Sequence, residues 1–170
     1  MTTTGASAET VSYEYNLQNR LKRVETDYQD GTVEIAEYKY NPDGVRVSKH
    51  TWTEISETPQ NDDITVVYLI DSYNHTGYAQ ALEELTYNKA NPLIGTDTPD
   101  SVCTYLIGDD VIAQTVDGVT DYLLHDDHGS TRQLAEWTGS DVTITDSFSY
   151  DAYGVLLQEL FARNENGFAG

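Results

Sequence analysis

One seven-residue pattern constrains the fold more than any other feature of the chain: aromatic, any residue, Tyr, Asn or Asp, any two residues, then Gly or Asn. It occurs as "YEYNLQN" from Tyr13, "YKYNPDG" from Tyr38 and "FSYDAYG" from Phe148. Aromatic residues two apart lie on the same face of a strand. The Asn or Asp then starts a turn by bonding to its own backbone, and the Gly or Asn closes the turn with a positive φ. Each copy therefore predicts a strand, a tight turn and a returning strand.

The pattern assigns structural roles to specific positions. The expected repeat positions in these three units are Tyr13, Tyr15, Asn19, Tyr38, Tyr40, Gly44, Phe148, Tyr150 and Gly154. We expect the aromatic rings to stack as a ladder along one face of a sheet. We also expect the turn glycines to adopt a positive φ.

The rest of the chain favours the same class of fold. Thirteen tyrosines, with abundant Thr and Val, suit pleated strands, and Gly-containing turn signals separate a series of short alternating segments. One segment, "AQALEELTY" at residues 79–87, has helical propensity, but it is short and uncapped, and we predict a strand there. The fold class predicted is all-β, a meander of short antiparallel β-hairpins.

The organisation expected along the chain follows from these segments. Residues 1–12 form an N-terminal strand or arm, and residues 13–170 form a continuous strip of hairpins, most repeat-like over 13–53 and 104–160. Residues 54–63 and 88–100 hold three of the four prolines and many turn residues. We predict surface loops near both stretches.

The polar stretch "YLLHDDHGSTRQL", which starts at Tyr122, raises three interpretations. His125 and His128 lie on opposite faces of an extended strand, so a shared metal ion would need a bend and a third ligand. A Ser130–His hydrolase site would need an oriented base and an oxyanion hole. The favoured interpretation is a hairpin turn, with Gly129 at the positive-φ position and Arg132 paired with an acid across the strands. No catalytic, cofactor-binding or metal-binding residue is predicted.

Charge limits the partners that the chain can have. The net charge is −20, and it is uneven: residues 1–49 hold six basic and eight acidic residues, while residues 50–170 hold three basic and 21 acidic ones. Such a surface repels phosphate backbones, so we expect no nucleic-acid partner. No apolar stretch approaches the length of a membrane span, and residues 1–10 lack the pattern of a signal peptide.

These residues resemble a known family. The aromatic-x-Tyr-Asn/Asp units are similar to YD repeats, and "DYLLHDDHGSTRQL" followed by "FSYDAYGVLL" resembles the core of the bacterial Rhs proteins. The resemblance extends from about Tyr13 to Gly170 and includes "DSYNHTGYAQALEE" and "YLIGDDVIAQT". It implies a β-strip that forms part of a hollow shell around a toxin segment, in an exported or cell-surface bacterial protein.

Some family properties are not expected of these 170 residues. The family's self-cleaving segment and its toxin follow the region that the resemblance covers, and 170 residues form too few turns of strip to enclose a cargo. The chain is therefore expected to be a non-catalytic structural or interaction module without a cofactor. The alternative is a self-assembling subunit of an extracellular filament or oligomer, joined end to end by β-strand addition. The expected partners are further copies of the chain or the neighbouring strands of a longer Rhs shell, and a glycan or cell-surface contact is also compatible.

Overall fold

The structure, a computed structural model, describes residues 9–55, 62–74, 76–151 and 153–159. The regular secondary structure in these ranges consists of antiparallel β-strands. No helix occurs in those ranges. The strands are β1 Thr10–Tyr15, β2 Leu21–Asp27, β3 Thr32–Tyr40, β4 Arg46–Ile55, β5 Ile64–Asp71, β6 Gln80–Tyr87, β7 Ser101–Ile107, β8 Val111–Val116, β9 Val119–His125, β10 Thr131–Trp137, β11 Val142–Tyr150 and β12 Leu156–Glu159. Their order in space follows their order in sequence, which confirms the predicted meander.

The strands divide into two compact units, Met1–Val102 and Cys103–Gly170. The first unit contains β1 to β6, and each of these strands pairs with the next, from Thr10 opposite Asp27 to Thr65 opposite Tyr87. The second contains the hairpins of β8 with β9, β9 with β10, and β10 with β11.

The structure describes one of the two predicted loops in full, and it also describes the segment with helical propensity. Residues 88–100 connect β6 to β7 without a strand, and Gln80–Tyr87 is a strand despite its helical propensity. In the region near 54–63, β4 continues to Ile55, and residues 56–61 lie outside the described residues. Of the expected arm at 1–12, residues 1–8 also lie outside them, and Thr10 already belongs to β1.

Full burial is confined to a few positions in each unit, because a meander leaves much of both sheet faces in water. The buried apolar side chains are Ile35 and Tyr87 in the first unit and Ala113 and Ala135 in the second. The loop at 88–100 accounts for part of the first core. Its Lys89 and Ala90 carbonyls accept hydrogen bonds from the Thr65 hydroxyl at 2.7 and 3.1 Å, and Thr65 is buried.

Candidate functional site

Four turns have the same hydrogen bonds, although only three of them carry the aromatic pattern. They begin at Asn16, Asn41, Asp126 and Asp151. In each turn the backbone N–H of the first residue donates to the carbonyl four residues later, at 2.9–3.0 Å. Its side-chain Oδ1 accepts the N–H of that same later residue, also at 2.9–3.0 Å. An aspartate carboxylate and an asparagine amide can therefore accept the same backbone hydrogen bond, because only one side-chain oxygen is needed.

The fourth residue of each turn has a left-handed backbone. The φ values are +58° at Asn19, +92° at Gly44, +78° at Gly129 and +81° at Gly154. In every case the N–H of this residue donates to the carbonyl of the first turn residue, at 2.9–3.1 Å. The positive φ predicted for the three glycines is confirmed, and Asn19 is a residue type that tolerates this conformation.

The second aromatic of each repeat lies at an irregularity in the strand. The register shifts at Tyr15, Tyr40 and Tyr150, each of which directly precedes its Asn or Asp. Such bulges raise the local twist and redirect a side chain. Each copy of the pattern thus coincides with a register shift as well as with a turn, although β5, β7 and β10 have such shifts without the pattern.

The aromatic rings of the repeat do not stack on one another in the described part of the chain, where the one stacked ring pair is His50 with Trp52. The reason is spacing. The repeat aromatics of the first unit lie on β1 and β3, with β2 between them, and alternate strands are roughly 10 Å apart, which is too far for ring contact. The turn before β2 contributes an arginine instead.

Three arginines that follow a turn lie over a tyrosine of the hairpin that comes next; Arg46 and Arg132 belong to returning strands, and Arg20 lies directly before β2. Arg20 lies 5.8 Å from the centre of the Tyr40 ring, Arg46 lies 5.7 Å from that of Tyr68, and Arg132 lies 5.3 Å from that of Tyr150. Arg46 also lies 5.3 Å from the ring of Tyr38, so one guanidinium contacts the rings of both flanking strands. These distances are typical of cation–π contacts.

Further contacts hold the first of these arginines in place. Arg20 donates from Nη1 to the Asn41 carbonyl at 3.3 Å, and the Tyr40 hydroxyl donates to the Leu21 carbonyl at 2.7 Å. The guanidinium also lies directly against Gly44, where a β-carbon would overlap it. The sequence analysis named Arg132, but as the partner of an acid and not of a ring, and it missed Arg20 and Arg46. The available signal was their position, four and five residues after the turn Asn.

The polar stretch at Tyr122–Leu134 forms one of these turns. The Asp126 Oδ1 accepts the N–H groups of His128 and Ser130, and its Oδ2 accepts from the Arg132 Nε at 2.7 Å. The hydrogen bond from Arg132 and those from the backbone hold the pKa of Asp126 below its usual range. Among the described residues, no group of three metal-ligating side chains is found.

One groove of the first unit was not predicted from the sequence. It has a volume of about 620 Å³ and is lined by β3 to β5 on one side and by the loop residues Ala90 to Ile94 on the other. Within it, His50 stacks on Trp52 with ring centres 4.6 Å apart, and Arg23 lies 5.4 Å from the Trp52 ring. Arg23 also pairs with Glu37 at 3.2 Å. Glu37 and His50, which line the groove, are thus each already in contact with another side chain.

Ser48, His50 and Asp63 lie in the same part of the first unit and invite comparison with a hydrolytic triad. His50 Nε2 is 2.8 Å from Asp63 Oδ1, but no hydrogen bond joins Ser48 to His50 in the described residues. A serine nucleophile needs a bonded base and an oxyanion hole. The contact of His50 with Asp63 is a hydrogen bond between two side chains, and it lacks the bonded serine of a nucleophilic triad.

The described residues contain no helix long and apolar enough to cross a membrane.

No family model matches the chain, and no curated protein matches it either.

Proposed function

We propose that the chain is a non-catalytic structural and interaction module, a YD-repeat β-strip of the Rhs type from an exported or cell-surface bacterial protein. The observation that carries this proposal is the set of four turns with the same hydrogen bonds. The arginine of one hairpin lies on the tyrosine of the next in both compact units. A repeated contact between successive hairpins is the property that a long strip needs, because each hairpin then stabilises its neighbour.

The chemistry of the turns supports a structural role. The Asp126 carboxylate is occupied in folding, because it accepts two backbone N–H groups and the Arg132 guanidinium. A general base or metal ligand would have to give up those bonds.

The test is location on the cell. We expect an antibody against this chain to label intact cells of the producing bacterium, and external protease to remove the label. A protein that stays protease-resistant until the cells are broken, in a strain whose known surface proteins are digested, would contradict the proposal.

The second candidate function is a self-assembling subunit that adds strands end to end. One observation favours it: all six residues of β1 are exposed, and among the described strands β1 is paired only with β2. An unpaired edge of this kind is a template for another strand. Sedimentation of the full chain over a wide concentration range separates the two functions. Particles of 19.0 kDa at every concentration contradict assembly, and a mass that grows with concentration supports it.

A further inference from the structure

The first hairpin lacks the contact that the following hairpins receive. Tyr15 occupies the place in β1 that Tyr40 occupies in β3 and Tyr150 in β11: each lies at a register shift directly before the turn Asn or Asp. Tyr40 and Tyr150 are half-buried beneath an arginine, Arg20 directly before β2 and Arg132 on β10. Tyr15 is 58% exposed, and no arginine lies on it in the described residues.

The same strand offers backbone groups for pairing. β1 is hydrogen-bonded to β2 on one side, in register from Thr10 opposite Asp27 to Tyr15 opposite Leu21. Along this strand Val11, Tyr13 and Tyr15 are exposed, and Leu17 in the following turn is fully exposed. Among the described strands β1 has no partner on its other side, and an edge of this kind with exposed aromatic rings fits a further β-strand.

We infer that the edge of β1 binds a β-hairpin whose returning strand carries an arginine four to six residues after its turn Asn or Asp, and that this arginine covers Tyr15. This inference rests on the proposed function, since it treats the chain as a segment of a strip of such hairpins. The spacing is that of Arg20 after Asn16, Arg46 after Asn41 and Arg132 after Asp126.

Charge and sequence favour such a hairpin over a second copy of this chain. Residues 50–170 hold three basic and 21 acidic residues, so two copies of the chain repel each other, whereas an isolated hairpin without those residues does not meet that repulsion. The last described hairpin of this chain has Val155, Leu156 and Leu157 at the positions four to six residues after Asp151, so its returning strand has no arginine there. A copy added through β12 would leave the Tyr15 ring without a guanidinium.

The chain contains a suitable probe. A peptide that copies residues 9–28 includes β1, the turn and β2 with Arg20, which is the hairpin that precedes Tyr40 in the intact protein. Closing the peptide head to tail holds it as a hairpin, because its strand ends are paired at Thr10 and Asp27. By analogy with β2 on β3, the peptide's β2 is expected to pair with β1 of the protein.

The experiment is a titration of the full chain with this cyclic peptide, followed by NMR of the protein amides. We expect the signals of β1 to shift. The Arg20→Gln peptide is expected to bind roughly three- to thirtyfold more weakly, the range for a cation–π contact from exposed to desolvated. With the Tyr15→Leu protein the two peptides are expected to bind equally, and with Tyr15→Phe the difference is expected to return.

Each other outcome overturns the inference. These outcomes are no binding at millimolar peptide, shifts confined to strands other than β1, or an Arg20→Gln penalty that persists in Tyr15→Leu. If the chain alone shows concentration-dependent changes at β1 that the peptide does not reverse, the occupant is a second copy. The proposed function has a separate test. It is contradicted if the antibody does not label intact cells, whatever the result of the peptide titration.

Discussion

At the scale of the residue, one side-chain oxygen and one left-handed residue are enough to close each turn. Asn16 and Asn41 act as amides, while Asp126 and Asp151 act as carboxylates, and all four accept the same backbone N–H group. A carboxylate adds a second oxygen that an amide does not have. In Asp126 that oxygen accepts from Arg132.

The first prediction concerns pH. The pKa of Asp126 is lowered in the folded protein, so its contribution to stability is present above the unfolded pKa and is lost as the pH falls through the folded value. Asp126→Asn keeps the turn bonds but loses the ion pair. We expect the variant to be less stable than the parent at neutral pH, and the gap to close as the pH falls below the ordinary aspartate value near 3.8. Denaturant unfolding of both proteins across this range measures the gap, and a gap that is independent of pH would contradict the assignment.

The second prediction separates backbone strain from contact at a glycine. Gly44 and Gly118 share a φ of +92°, but an added β-carbon would meet the Arg20 guanidinium at Gly44 and open space at Gly118. Alanine is expected to cost about 1 kcal/mol of unfolding free energy at Gly118 through strain alone. At Gly44 it is expected to cost about 1 kcal/mol more, because Arg20 must leave Tyr40. Equal losses at the two sites, measured by denaturant unfolding, would show that the arginine relaxes without penalty.

At the scale of the element, the hairpin is the unit, and arginines join successive units. Arg46 on β4 contacts Tyr38 on β3 and Tyr68 on β5. Burial raises the pKa of the Tyr68 hydroxyl, and the nearby Arg46 acts in the opposite direction. The contact therefore links three consecutive strands of the first unit.

The third prediction tests this link. Arg46→Gln is expected to lower the unfolding free energy by about 1–2 kcal/mol, since two cation–π contacts are lost. The amides of β5 are then expected to exchange their hydrogens faster. Lys49→Gln is the matched control on the same strand, because Lys49 has no ion pair or ring contact among the described residues. A comparable effect of both changes would assign the loss to general charge and not to the ring contacts.

At the scale of the whole molecule, the net charge and the exposed edge act against each other. A charge of −20 keeps copies apart at neutral pH, while the edge of β1 offers pairing groups to any strand that approaches. Near the isoelectric point of about 4.1 the repulsion disappears. Association is then expected to proceed through the edge.

The fourth prediction locates that association. Ser12→Lys places a charge on the exposed edge strand, where lysine blocks strand pairing. Ser140→Lys makes the same charge change in an exposed turn. Turbidity measured near pH 4.1 is expected to fall much more for Ser12→Lys than for Ser140→Lys. Equal reductions would mean that association near the isoelectric point does not use β1.

The last prediction concerns chemistry. Ser130→Ala, His125→Ala and His128→Ala are expected to leave any activity of the protein unchanged, apart from small losses of stability, because the turn uses the side chain of Asp126 and not theirs. Activity assays of the folded variants, with circular dichroism as the check on folding, measure this. A hydrolytic activity abolished in a variant that remains folded would contradict the structural role.

The hairpins follow from the amino-acid sequence without further information. Their turns depend on hydrogen bonds between residues two to four apart and on a positive φ at one position, and both requirements are visible in a seven-residue pattern. For this reason the pattern alone was enough to place Gly44 and Gly154, and the polar turn stretch was enough to place Gly129. The all-β meander followed from the spacing of the turns.

The contacts between hairpins depend on the tertiary structure. The contact of Arg20 with Tyr40 joins the turn before β2 to the end of β3, and it depends on the register and on the register shift at Tyr40. A shift of one residue in that register would turn every side chain of the strand to the other face. The return of the 88–100 loop onto Thr65 is equally non-local, because it needs a strand 24 residues away in sequence. Local turn chemistry fixed the hairpins, and the register between strands fixed the arginine contacts and the groove.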